Sequence, residues 1–348
     1  MTIVLNVDNS IAGMVTPPDL VGSFGNFSGG IATGTAFSWD EVGIITLTPS
    51  INGGDYLGAG DVTGTVSGKV GRFIPDHFDT VVNQVSGVPM ACPDGLCPAT
   101  FNGIVYSGQP FTLTLTAQNA NGNPTANYNT TTGFAKTTAL APFASLGTST
   151  APSGAGTLGV ASVTAFTAGT LTESAEKYTF TTTPTVPTNI YINASDGEAS
   201  SQRTSSPTTT SIEGGVRVVS GRITIPNMYG SELLALPIIT TVEYYNKDGN
   251  WKTSLTDSVT AFSSALSPVG NLVANNATCA VVKTPDAAPV AVSAGVRTLS
   301  FARVAVTPPA PKCITMFSIN APSYLPSNTG SATFGIYKSP LVYRRENY

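Results

Sequence analysis

FTLTLTA, residues Phe111 to Ala117, alternates an apolar side chain with threonine at every step. A strand sends successive side chains to opposite faces, so this period of two puts Phe111, Leu113, Leu115 and Ala117 on one side and hydroxyls on the other, the pattern of a half-buried strand. Ile3 to Val7, Tyr178 to Thr181 and Thr333 to Tyr337 are shorter versions of it. No run sustains an apolar period of 3.6. Thirty-five glycines and 25 prolines punctuate the 348 residues. Short strands joined by frequent turns predict an all-β chain of two or three tandem immunoglobulin-like β-sandwich domains.

Asp, Glu, Lys and Arg make up only 10% of the chain, where about 25% is typical of soluble domains. Threonine, serine, asparagine and glycine must keep the surface wet instead, and the branched Cβ of threonine suits a pleated sheet. The net charge is −4. Nucleic acid, which needs clustered Lys and Arg to displace counterions, is not an expected partner. No stretch approaches the roughly 20 apolar residues of a membrane-spanning helix, and the N-terminus lacks the charged and apolar regions of a signal peptide. The composition still reads as extracellular, which predicts that Met1 begins a mature form or an excised piece of a longer exported protein.

The cysteines, Cys92, Cys97, Cys279 and Cys313, are even in number, as a disulfide framework requires. Cys92 and Cys97 bracket an Asp94-Gly95 turn signal, and proximity in sequence favours the pairs Cys92–Cys97 and Cys279–Cys313. A four-cysteine zinc site needs two closely spaced pairs, and the second pair is far too wide. Disulfides point to an oxidising compartment.

The domain reading places an N-terminal β unit at residues 1–69, with strands near Phe37–Trp39 and Ile44–Leu47. A sandwich follows at 70–204 and a C-terminal sandwich at 205–348, the polar run Ser205–Ser211 acting as linker or exposed loop. Thr2 to Val7 reads as a strand without an adjacent partner in sequence. It needs a ladder, either inside its own unit or in a neighbouring molecule. Tyr229 to Pro237 reads as a corner between strands, with a binding loop as the alternative.

Several segments occur together in order: AFSWDEVGIITLTPSINGGDYLGAG (Ala36–Gly60), GRFIPDHF (Gly71–Phe78), YSGQPF (Tyr106–Phe111), AQNANGN (Ala117–Asn123), GRITIPNMYGSELLALP (Gly221–Pro237) and ATFGIYKSPLVYRRENY (Ala332–Tyr348). This set resembles the C-terminal region of the MshQ family, biogenesis proteins of the mannose-sensitive haemagglutinin (MSHA) type IV pilus. Two departures stand out. The family's acidic loop before the ATFGIY strand is replaced by Ala321 to Asn328, and the cysteine expected after Thr256-Asp257 comes only at Cys279. The resemblance implies a non-enzymatic, extracellular, pilus-associated protein at the bacterial cell surface, an adhesin or tip component that mediates attachment. Its partners would be pilus subunits or neighbouring copies of itself, with a glycan or surface receptor as ligand. The alternative is an assembly subunit linked by strand addition.

The residues offer little for catalysis. His77 is the one histidine, so no multi-histidine metal site exists within the chain, and a structural hydrogen bond at a domain junction explains it. There is no G-x-S-x-G elbow. Glu173 with Glu176, Asp196 with Glu198, and Asp76 with Asp79 are the carboxylate pairs close in sequence, and solvated turns account for them. No cofactor is expected; with zinc set aside, Ca²⁺ is the metal that stays open, because QNANGN and YNKDGNW carry the oxygen atoms it takes while being low in carboxylates. For an adhesive reading, Trp39, Tyr245 and Trp251 are the aromatic side chains suited to covering sugar faces.

Overall fold

The computed structural model describes residues 2–8, 18–52, 58, 60, 62–93, 97–201, 213–231, 234–273, 288–301 and 313–335. Within them the chain is all-β, with no α-helix. It forms two compact units, neither contiguous in sequence. The first is Met1–Asn83, Pro110–Thr179 and Asn189–Val216; the second is Gln84–Gln109, Phe180–Thr188 and Arg217–Tyr348.

The first unit opens with an antiparallel sheet of β1 (Thr2–Asp8), β2 (Gly43–Asn52) and β3 (Val70–Phe73). β1 pairs with β2 from Thr2 opposite Asn52 to Asp8 opposite Thr46, so the ladder it needs lies in its own chain. In chain order come β4 (His77–Asn83), β5 (Ile104–Tyr106), β6 (Phe111–Gln118), β7 (Thr138–Phe143), β8 (Gly156–Leu158), β9 (Ser162–Val163), β10 (Thr170–Glu176), β11 (Tyr178–Phe180), β12 (Thr188–Ser195) and β13 (Gly214–Val219), of which β5 and the Arg217–Val219 end of β13 belong to the second unit. β6 is the FTLTLTA strand, and it alternates buried and half-buried residues throughout. It lies between β4 and β10. Its apolar face shares a core with Phe78, Tyr128 and Phe166, in which the Tyr128 ring stands edge-on to the other two at 5.6 and 5.0 Å. β7 pairs with β12 and β9. Thr80 on β4 ties the two layers, donating to the Ile192 carbonyl at 2.8 Å and accepting from the Gly214 amide at 2.7 Å.

The second unit adds β14 (Gly221–Thr224), β15 (Met228–Gly230), β16 (Leu236–Tyr245), β17 (Trp251–Thr253), β18 (Ala261–Val273), β19 (Val290–Ala291), β20 (Val296–Phe301), β21 (Cys313–Asn320) and β22 (Gly330–Phe334). β14, β17 and β20 pair with β16; β21 pairs with β22 and β18, and β18 with β19. Ile223, Ile238 and Phe301 of one sheet meet Phe262, Phe317 and Phe334 of the other in one core. Each such side chain contributes about 1.5–3 kcal/mol by leaving water. At the Tyr229–Pro237 corner, Leu236 is buried while Tyr229 and Leu234 are exposed; Glu232 and Leu233 lie outside the described residues.

One strand plan runs twice along the chain. β4, β6 and β10 are matched by β14, β16 and β20, while β12, β7 and β9 are matched by β21, β18 and β19. Each pass has a short strand parallel to its last: β5 beside Arg217–Val219, and β15 beside Ala332–Phe334. The turns repeat too. After each central strand comes Asn-x-x-Gly-Asn, in which the first asparagine's Oδ1 accepts the amides two and four residues on, at 3.0 and 3.0 Å for Asn119 and at 3.1 and 2.8 Å for Asn246. Before β10 and β20 an Ala-Gly pair takes positive φ at both residues, 48° and 77° in Ala168-Gly169 and 48° and 72° in Ala294-Gly295. Identical turn chemistry marks equivalent places in the two passes.

Buried carboxyls give the first unit a pH dependence. Glu176 is fully buried, one oxygen accepting the Gly159, Val160 and Lys177 amides and the other lacking a partner among the described residues. Burial raises its pKa against those three amides, and burial likewise raises Glu41 and Asp79. A carboxyl with a higher pKa folded than unfolded gains its proton earlier as pH falls, so the folded state gains stability from neutrality down through the raised values to the unfolded ones, near 4.5 for glutamate. Glu176→Gln removes the buried charge and keeps an oxygen to accept the three amides. It should stabilise the protein at pH 7 by about 1 kcal/mol and flatten the gain on mild acidification, read from denaturant midpoints across pH.

Candidate ligand cleft

The β16–β17 hairpin organises the second unit's surface. Asn246 closes its turn, and the register sets Tyr244 opposite Lys252 and Tyr245 opposite Trp251. Alternation therefore gives the hairpin two chemically different faces.

One face holds two of the aromatic residues suited to sugar contact. The Tyr245 and Trp251 rings lie 5.2 Å apart, and the Arg222 guanidinium sits 4.2 Å above the Trp251 ring. Glu243 holds that guanidinium, accepting from Nε and Nη2 at 2.7 Å each and from Thr224 Oγ1 at 2.8 Å. The cation covers a face of the indole. The third aromatic, Trp39, belongs to the first unit's core. It is 6% exposed, donates Nε1–H to the Pro18 carbonyl at 3.0 Å and packs edge-on against Phe73.

The other face of the hairpin borders a cleft of about 220 Å³. Arg217 reaches it because β13 alternates: Val216 and Val218 are buried in the core, while Arg217 is half-buried. Burial lowers the guanidinium pKa, with Tyr244 opposing. Lys252, Asn246, Lys247 and Asp248 come from the hairpin, and the last two form an exposed ion pair at 3.1 Å. Ile104, Val219, Pro187 and the Cys92–Cys97 disulfide, whose Cα atoms are 5.9 Å apart, supply apolar wall. Four of the twelve lining residues are charged, a third of them, in a chain that is 10% charged. Three of its 16 Lys and Arg residues line it. Sequence reasoning singled out Cys92, Cys97 and the YNKDGNW turn that carries Asn246, Lys247 and Asp248, but missed Arg217 and Lys252; the one local signal for the former was a cation inside the apolar run Gly214–Val219.

Of the second cysteine pair, Cys279 lies outside the described residues and Cys313 begins β21, its side chain likewise outside them. The groups weighed for catalysis are engaged in holding the fold. His77 is buried, with Nδ1 2.7 Å from Asp76 Oδ2 and Nε2 2.8 Å from Gln118 Oε1. Asp196 accepts the Tyr128 hydroxyl at 2.8 Å and the amides of Glu198 and Ala199, while Glu198 pairs with Arg72 at 3.0 Å and Lys136 at 2.5 Å. Glu173 caps the Ala175 amide at 2.9 Å. The asparagine oxygens weighed for Ca²⁺ at Asn119 and Asn246 accept backbone amides within their own turns.

Fold and cleft together define an all-β chain in which one strand plan runs twice, disulfide-containing, with a recess in its second compact unit. The model of DUF6701, third domain, matches residues 41–219, and that of DUF6701, fourth domain, matches residues 219–347. The chain belongs to the DUF6701 family. The two matches meet at Val219, where the first pass of the strand plan ends. No curated protein matches the chain. Among solved structures, FdeC, described as a broadly conserved Escherichia coli adhesin, is similar at 12% identity over 96% of this chain and 85% of its own, with a TM-score of 0.36.

Proposed function

We propose that this protein is a non-enzymatic attachment module at the bacterial surface, serving a type IV, MSHA-like pilus system as an adhesin or tip component. Its ligand site is the cleft beneath the β16–β17 hairpin. The observation that carries the reading is the concentration of cations and apolar wall in one recess of a chain otherwise poor in charge. Membership of the DUF6701 family agrees with the MshQ resemblance, and the Cys92–Cys97 disulfide suits an extracellular setting. Carboxylates and the histidine held in structural hydrogen bonds support a binding rather than a catalytic role.

Lys252→Trp, at the exposed rim, fills the mouth of the cleft without touching the core. Beads coated with the full chain should attach to glycan-bearing surfaces, and the Lys252→Trp beads should lose at least about 90% of that retention, the tenfold change expected for losing one charge-assisted contact. Retention equal to wild type would remove the cleft from the attachment function.

A further inference from the structure

The Cys92–Cys97 disulfide forms part of the cleft wall. Both cysteines are half-buried, backed by the core of the second unit and open to the recess. The bond joins residues five apart in the chain, and constraining so short a loop removes little entropy from the unfolded state. The segments around it are held by other bonds. Met90 and Ile104 exchange two backbone hydrogen bonds at 2.9 and 2.7 Å, and the Phe101 amide donates to the Pro98 carbonyl at 3.0 Å. Opening the S–S bond therefore leaves this ladder in place. The charge nearby is positive: Lys247 and Asp248 neutralise one another at 3.1 Å, while Lys252, exposed and lining the same recess, pairs with no carboxylate among the described residues. Partly exposed sulfur in electropositive surroundings is the setting of exchangeable rather than inert cysteine.

We propose that Cys92–Cys97 is a thiol-exchange site that takes small anionic thiols from solution. A thiolate attacks one of the two sulfurs, a new S–S bond forms to it, the Cys92–Cys97 bond breaks, and the released cysteine leaves as a thiolate that takes a proton from water. A second thiolate then attacks the added sulfur of this mixed disulfide and frees the other cysteine, which is protonated in turn. Two electrons pass to the protein sulfurs, and the two small thiols leave joined as their own disulfide. Lys252 draws the anion toward the sulfurs. This chemistry does not depend on the cleft being the attachment site, so it stands or falls apart from that reading.

The folded full chain is treated with glutathione, or with cysteamine as a cationic thiol. Mass spectrometry of the peptides carrying Cys92 and Cys97 reads the exchange, and hydrogen exchange at the Met90 and Ile104 amides reports on the fold. A glutathione adduct should form on Cys92 or Cys97 at a rate proportional to glutathione concentration, with both amides still protected. Per thiolate, glutathione should react at least about threefold faster than cysteamine at low salt, and that advantage should shrink as salt rises. Lys252→Gln, at an exposed position outside the core, should lower the glutathione rate by about threefold or more and leave the cysteamine rate equal or higher. A rate independent of thiol concentration, or amide protection lost before reduction, would mean that the bond opens only by unfolding and would overturn the proposal. Cysteamine reacting as fast per thiolate as glutathione, or Lys252→Gln reacting with glutathione at the wild-type rate, would overturn it equally.

Discussion

Asp257→Ala should destabilise the second unit by about 4 kcal/mol, the cost typical of stranding several buried polar groups. The carboxylate is fully buried and accepts four hydrogen bonds: from the Tyr106 hydroxyl at 2.9 Å, the Thr260 hydroxyl at 2.6 Å, and the Val259 and Thr260 amides at 3.0 and 2.9 Å. Alanine removes the acceptor and leaves the donors. Tyr106 cannot escape by ionising, because burial, the largest cause raising its pKa, persists in the variant. The melting transition should fall by about 10 °C for a unit of this size. Asp257→Asn keeps the shape and one acceptor oxygen and should cost about 1–2 kcal/mol, since both hydroxyls can turn to meet an amide. A loss below about 1 kcal/mol in the alanine variant would mean that the network contributes no net stability.

Gly103→Ala should cost about 4 kcal/mol or more, an effect reserved for backbone conflict or core damage. Gly103 has φ of 144°, and a Cβ there would lie 1.8 Å from the Met90 carbonyl oxygen. That oxygen cannot simply move. Met90 and Ile104 exchange two backbone hydrogen bonds, at 2.9 and 2.7 Å, and the Gly103 carbonyl accepts the Arg217 amide at 3.2 Å. Relieving the clash must break at least one of these ladders. Because Ile104 and Arg217 both line the cleft, the same substitution should also weaken ligand binding. Gly122→Ala is the comparison: its φ is 81° but nothing lies within 4 Å of the added Cβ, so only the conformational cost of about 1–2 kcal/mol applies. Denaturant midpoints with unchanged slope would measure both. Equal losses in the two variants would show that the clash at Met90 relaxes at little cost.

How far the sequence reaches can be judged residue by residue. The alternation in FTLTLTA determines β6 and its buried face because a strand's period of two is a local property. Asn119 and Asn246 mark their turns for the same reason, each bonding to amides within four residues of itself. The Cys92–Cys97 bridge spans five residues, so it too was within reach of spacing. Trp39 shows where local reasoning stops. An aromatic ring with one polar donor suits a sugar surface or a core equally well, and only the packing against Phe73 and the bond to the Pro18 carbonyl put it in the core. Of the repeated strand plan only the turns, Asn-x-x-Gly-Asn and Ala-Gly, left matching residues in the sequence; the rest consists of pairings between distant segments.

The cleft is the clearest case. Arg217 and Lys252 stand in different strands, and Ile104 and the disulfide come from a segment more than a hundred residues earlier in the chain. Composition, period and turn chemistry determined an all-β chain with a hydroxyl-rich surface. Which face of the β16–β17 hairpin turns its aromatics onto Arg222, and which turns its lysine toward the recess, was decided only by tertiary structure. Strand register is set by long-range burial and hydrogen bonding, and a shift of one residue would exchange the two faces.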